Sequence, residues 1–190
     1  LILTHAHNDH IGRVPKLVKE GFKGEIIATQ ATLDIAYIML LDSAMLLQEE
    51  YETQIRKALR RGEEALVKEP LYTKEHVEAL FTCKLRKVSY ETCIDLAPFL
   101  TICLHNAGHI LGSSFVEVNY EEEGVKKSVV FSGDIGSKNR LLLNELSTLE
   151  HADTLFVEST YGDREHRALE ESIAEFKSAI VQTLKEDGNV

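Results

Sequence analysis

The sequence predicts a layered α/β fold, on three observations. Short apolar or alternating runs have strand length, longer stretches repeat their apolar residues at helical spacing, and His, Asp and Gly cluster where the runs end. The chain opens on a β-type run, LILT, that leads straight into the polar HAHNDH, and EIIAT at 25–29 reads as the next strand. From about 32 to 88 the pattern turns helical. Leu33, Ala36, Tyr37, Leu40, Ala44 and Leu47 recur on one side, most simply a face packed on the core, and QEEYETQIRKALRRGEEALVK beyond them reads as exposed. A partner-binding or dimerising surface is the alternative for that stretch. Pro70 breaks the pattern and a second helix is expected from about Thr73. Strands are then expected at 99–104 (FLTICL), 114–120 (SFVEVNY), 128–133 (SVVFSG) and 154–160 (TLFVEST), with EEEG at 121–124 turning a hairpin. Leu169, Ile173, Phe176, Ile180 and Leu184 mark a last amphipathic helix that Gly188 stops.

At 190 residues with 44% hydrophobic content, the chain suffices for one domain with a real core or for a large piece of something bigger. LILT starting inside a strand and EDGNV trailing a helix favour the second, an excised middle. No uninterrupted apolar run approaches a membrane span, and neither a signal peptide nor a lipidation motif is visible, so a cytoplasmic protein without membrane contact is expected. Cys83, Cys93 and Cys103 lack C-x-x-C spacing and read as reduced packing residues. The net charge of −10 argues weakly against nucleic acid as partner. It is not decisive, because Lys138, Arg140, Arg164 and Arg167 stand beside the polar motifs and allow a local basic rim.

The chemistry concentrates in three places. His5, His7, Asp9 and His10 lie within six consecutive residues. After a strand, side chains 5 and 7 point the same way, and a tight turn brings Asp9 and His10 to a neighbouring point, which suggests two metal positions. Imidazole and carboxylate donors suit Zn²⁺, Mn²⁺ or Fe, and no thiolate is in reach to close a structural zinc site. His105-Asn106-Ala107-Gly108-His109 follows the FLTICL strand, with small residues Leu111-Gly112-Ser113-Ser114 behind it. His109 is favoured as a ligand there, and His105 as a supporting or structural residue. At Ser132-Gly133-Asp134-Ile135-Gly136 a strand runs into a glycine-flanked aspartate, which taken alone is equally an Asx-type turn.

THAHNDH, HNAGH with LGSS, and SGDIG, in that order, resemble the metal motifs of the metallo-β-lactamase superfamily. VESTYGDREH at 157–166 resembles the first diagnostic motif of its β-CASP group, the RNA-processing nucleases that include bacterial ribonuclease J and the mRNA 3′-end cleavage endonuclease. The resemblance implies part of an αββα sandwich over 1–160, with a helical insert at about 32–88, and the beginning of a β-CASP domain at 161–190. It implies two Zn²⁺, with Mn²⁺ or Fe as substitutes: His5, His7 and His109 on one metal, Asp9, His10 and Asp134 on the second, and Asp134 bridging. Asn8 departs from the family's usual apolar residue and is not a ligand. The first strands of the fold and a further histidine ligand fall outside this sequence.

The implied activity is cleavage of single-stranded RNA, endonucleolytic, 5′ exonucleolytic or both, by a hydroxide activated between two metals. Asp9, Glu158 and His166 are the catalytic candidates. Glu158 either orients a ligand histidine or moves a proton, unless it is a structural carboxylate. His166 and Arg164 meet phosphate or merely order the following helix; Tyr161 stacks or packs. RNA is the expected substrate partner, and a homodimer is compatible with the insert. Two rival readings remain, a thioester or lactone hydrolase of the same fold and a non-catalytic scaffold subunit of an RNA-processing complex.

Overall fold

A computed structural model describes residues 1–62, 66–137, 142–164 and 167–190. The elements run α1 (Asn8–Ile11), α2 (Val14–Lys19), β1 (Ile26–Ala28), α3 (Gln30–Leu59), α4 (Lys74–Thr82), β2 (Leu85–Lys87), β3 (Thr92–Ala97), β4 (Leu100–Asn106), β5 (Ser114–Glu122), β6 (Val125–Phe131), β7 (Thr154–Phe156) and α5 (Leu169–Lys185). The chain divides into two compact units, Leu1–Glu158 and Ser159–Val190.

The first unit is built on two sheets. β1 and β2 pair in parallel, and the second sheet has the order β3-β4-β5-β6-β7, antiparallel except for the parallel β6–β7 edge. Alternation along β1 explains the layering. Ile26 and Ala28 point into a core with Leu33, Ala36, Leu40 and Ala44 of α3 and Val77 and Leu80 of α4. Ile27, on the other face, packs with Ile102 and Leu104 of β4 and Val116 of β5. Helices, small sheet and large sheet thus form three successive layers. The outer face of the large sheet is covered by Leu146, Leu149 and Ala152, which pack on Phe115 and Val130.

Helix α3 starts at Gln30, two residues ahead of expectation, because Thr29 caps it by accepting the Thr32 N–H at 3.2 Å. Its positions 33, 36, 40 and 44 are buried as the spacing implies, while Tyr37 is 39% exposed at the edge of the face. Over 18 residues this helix meets the length and composition of a membrane span, although the aspartates interrupt the run; its apolar stripe packs on the first core. Helix α4 begins where Thr73 and His76 form a capping box. The β5–β6 hairpin closes through Glu123 and Gly124, at φ 53° and 79°, the backbone of a two-residue type I′ turn.

Several expectations need correction. LILT makes only a single parallel bridge, Ile2 to Ile27, because too few residues extend along β1 to build a ladder. Strands β2 and β3 were not expected: β2 is three residues long, and β3 (TCIDLA) is a largely exposed edge strand without apolar alternation. Cys93 and Cys103 face each other across β3 and β4 and form a disulfide; only Cys83 is a free thiol. Sequence spacing missed the pair because the cysteines are neighbours across strands, not along one.

The second unit consists of a turn and α5, whose first turn carries Glu170 and Glu171 and whose last turn carries Lys185, complementing the helix dipole. None of its described residues is buried, and Phe176 and Leu184 are 65% and 60% exposed.

Candidate metal centre

Three chain segments converge on one point at the end of the large sheet. The first is the start of the chain, held beside β1 by the Leu3 N–H to Ile27 carbonyl bond at 2.9 Å. After His7 it winds into α1, a single helical turn in place of the expected tight turn; this projects His10 back beside His5, ring centroids 4.2 Å apart. The second is the loop after β4. Its Asn106 side chain accepts the Gly108 N–H at 2.9 Å, and the Ser113 hydroxyl accepts the His109 and Ile110 N–H groups at 3.0 and 3.1 Å, so His109 is fixed from both sides. The third is the loop after β6, which carries Asp134.

The two loops touch at their glycines. Gly136 donates to the Ala107 carbonyl at 2.9 Å, and a Cβ on Gly136 would lie 1.7 Å from the Gly108 carbonyl oxygen. Only a residue without a side chain permits this approach. Glu158, beyond β7, accepts the Ile135 N–H at 2.8 Å, and its own N–H donates to the Ser132 hydroxyl at 3.0 Å. It therefore braces the loop on both sides of Asp134.

Donor atoms of His5, His7, His109 and Asp134 all lie within 4.8 Å of one another. His7 Nδ1 and His109 Nε2 are 3.0 Å apart; Asp134 Oδ2 is 3.5 Å from His109 Nε2 and 3.6 Å from His5 Nε2. Asp134 Oδ1 is 3.0 Å from His10 Nε2, so the carboxylate faces two histidine groups at once. Asp9 lies 3.6 Å from His10 on the open side, its side chain 77% exposed. It is the one expected ligand of the N-terminal motif that does not turn inward.

His5 gives the clearest test of fit to a cation. It is 1% exposed, and its Nε2 is buried with no hydrogen-bond partner, the one such side-chain atom among the described residues. Burial, reinforced by the charge of neighbouring His10, pushes its pKa down to about 4, so the imidazole is neutral with a lone pair available. A buried, unsatisfied acceptor aimed at a carboxylate and two further imidazoles is costly in a structural cluster and suited to a divalent ion.

The other expected site residues are less central. His105 is 8% exposed between two carboxylates, Glu91 and Glu117, on the sheet face away from this cluster. Tyr161 carries the Arg164 guanidinium 5.1 Å above its ring, within the second unit. His166, Lys138 and Arg140 lie outside the described residues. Arg13 was not singled out from the sequence, although it lies three residues beyond His10. It lines a cleft of about 480 Å³ with Asp9, His10, Ser43 and Tyr72, where Asn8 accepts the Ser43 hydroxyl at 3.0 Å. A larger cleft, about 600 Å³, lies among Phe99, Tyr120, Lys127 and Asp153 and contains none of the converging histidines.

Histidines and a carboxylate gathered at strand ends of a layered α/β unit define a candidate metal-centre protein. Residues 1–81 match the profile of the metallo-beta-lactamase superfamily. Ribonuclease TTHA0252 of Thermus thermophilus is 34% identical over 190 residues, covering 100% of this chain and 38% of that protein. Transcription termination factor FttA of a Lokiarchaeum species is 31% identical over 195 residues, covering 100% of this chain and 27% of that protein. The part of the chain that carries the THAHNDH motif, residues 1–81, thus matches the superfamily that its motifs resemble. It spans well under half the length of these relatives. The solved subclass B3 enzyme BJP-1 of Bradyrhizobium japonicum superposes with a TM-score of only 0.36 at 21% identity, over 68% of this chain and 39% of that one, and adds nothing to the assignment.

Proposed function

We propose that this chain is the metal-binding part of a β-CASP-type nuclease that hydrolyses phosphodiester bonds in single-stranded RNA. One observation carries the reading: His5, His7, His109 and Asp134 bring their donor atoms within 4.8 Å of one another in a chain related along its whole length to a named ribonuclease. In this reading His5, His7 and His109 would hold one divalent ion, His10 would hold a second with Asp9 once its exposed side chain turned inward, and Asp134, which faces both histidine groups, would serve both. Zinc is the proposed ion, since imidazole with carboxylate suits it, and Mn²⁺ or Fe is compatible with the same donors. Bound ions of this kind supply Lewis acidity, lowering the pKa of water and offsetting charge on phosphoryl oxygens.

The chain's own residues do the rest. His5 presents a neutral nitrogen at neutral pH, because its burial disfavours the proton. Asp9, exposed at the mouth and 3.6 Å from His10, is placed to accept a proton from the attacking water. Glu158 acts as a positioning residue by holding the Ile135 N–H, and so the Asp134 loop, at 2.8 Å. Arg13 in the adjoining cleft supplies a cation for a neighbouring phosphate. His166 is assigned to the leaving-group side of the scissile phosphate by resemblance alone. A cytosolic setting belongs to the same reading.

The test uses the full-length protein with a single-stranded RNA oligomer and, in parallel, a thioester. RNA cleavage by the parent, abolished by Asp134→Ala with an unchanged circular dichroism spectrum, is the expected result. Unchanged cleavage in Asp134→Ala, or turnover of the thioester without RNA cleavage, contradicts the proposal.

A further inference from the structure

On the opposite side of β4 from the second core, three strands bring another set of metal-type donors together. Cys103 and His105 are two residues apart on β4 and so share a face. Glu117 of β5 and Cys93 of β3 are the direct cross-strand partners of Cys103. Donor atoms of Cys103, His105 and Glu117 lie within 4.8 Å of one another, and Cys93 is joined to Cys103 through the disulfide.

His105 is the informative residue. Its Nδ1 lies 2.5 Å from Glu91 Oε2 and its Nε2 lies 2.9 Å from Glu117 Oε2. A neutral imidazole carries one N–H and can serve only one of two carboxylates. The second contact calls for another cation at the ring, a proton or a metal ion. The Glu91 side has the form that orients metal-bound histidines, a carboxylate accepting the Nδ1–H and leaving Nε2 for the metal. Glu91 is itself held, accepting the Ser147 hydroxyl at 2.6 Å, and the His105 ring stacks on Phe115 at 4.9 Å. The ring is therefore fixed before any ion arrives.

We propose that Cys93, Cys103, His105 and Glu117 form a thiolate-containing zinc site, closed by the Cys93–Cys103 disulfide and opened by its reduction. Two thiolates, an imidazole and a carboxylate make a four-donor set of zinc type. It differs in chemistry from the His5/Asp134 cluster, which contains no sulfur. Opening takes a two-electron reductant: a phosphine serves in vitro, and a dithiol acts by exchange. One of the dithiol's thiolates attacks a disulfide sulfur and displaces the other cysteine as thiolate, and its second thiol resolves the mixed disulfide. The dithiol leaves as a disulfide, two electrons pass to Cys93 and Cys103, and the two thiol protons are released when the metal binds. Cys93 is exposed and gives the reductant access, while Cys103 is 2% exposed and keeps the bound ion from water. A metal here would clamp β3, β4 and β5 four residues before His109.

Cobalt(II) is the probe, added to the full-length protein before and after reduction with a phosphine that is then removed. The reduced protein is expected to show a near-ultraviolet thiolate-to-cobalt charge-transfer band and to bind one more equivalent than the oxidised protein, which shows no such band. Cys83→Ser should leave the band intact and Cys103→Ser should abolish it. Glu91→Gln, which keeps the shape of the site, should weaken cobalt binding about tenfold or more. Absence of the band in the reduced protein, or its persistence in Cys103→Ser, overturns the proposal.

Discussion

A methyl group at position 136 would lie 1.7 Å from a backbone oxygen of the loop that presents His109. Neither partner is a side chain that can swing away, so Gly136→Ala must push the Asp134 and His109 loops apart. Metal affinity of the full-length protein should fall about tenfold or more, read by competition with a chromogenic chelator, while the circular dichroism spectrum stays native. Unchanged affinity would mean that the contact does not position the centre. At this scale the sequence was informative wherever ligand-type residues crowd at strand ends, which is why His5, His7, His109 and Asp134 could be named. It was silent where a residue's role depends on partners distant along the chain. His105 gave no sign of its pairing with Glu91 and Glu117, and Cys93 no sign of Cys103, because strand register creates both contacts.

Helix α3 is attached to the metal loops through its first residues. The hydroxyls of Thr29 and Thr32 lie 2.7 and 2.8 Å from the Gly112 carbonyl, three residues beyond His109. Thr29→Ala removes the helix cap and leaves buried polar groups short of a partner, at a cost of about 1–3 kcal/mol. Chemical denaturation should show that loss; a change within error would show the cap to be redundant. The long helix, its successor after Thr73 and the central hairpin were legible because each has a strong local signal: periodicity, a cap, or a Glu-Gly turn. Strands β2 and β3 were not, since a three-residue parallel strand and an exposed edge strand owe their form to the neighbours they pair with.

Across the whole first unit, burying a cluster of imidazoles couples stability to pH. The folded-state pKa of His5 is near 4, below its ordinary 6.5, so the unfolded chain binds more protons between those values. Its contribution is complete above pH 6.5 and is lost as pH falls towards 4. Thermal unfolding in the presence of a chelator should therefore show a midpoint that declines through that window in the parent and declines less in His5→Gln. Equal slopes would remove His5 as the source. The most direct test of the central claim is anomalous diffraction at the zinc edge from crystals of the full-length protein grown with zinc. Anomalous peaks are expected within bonding distance of His5, His7, His109 and Asp134, two of them on either side of the Asp134 carboxylate. A crystal with zinc bound elsewhere and no peak among these four side chains would contradict the account.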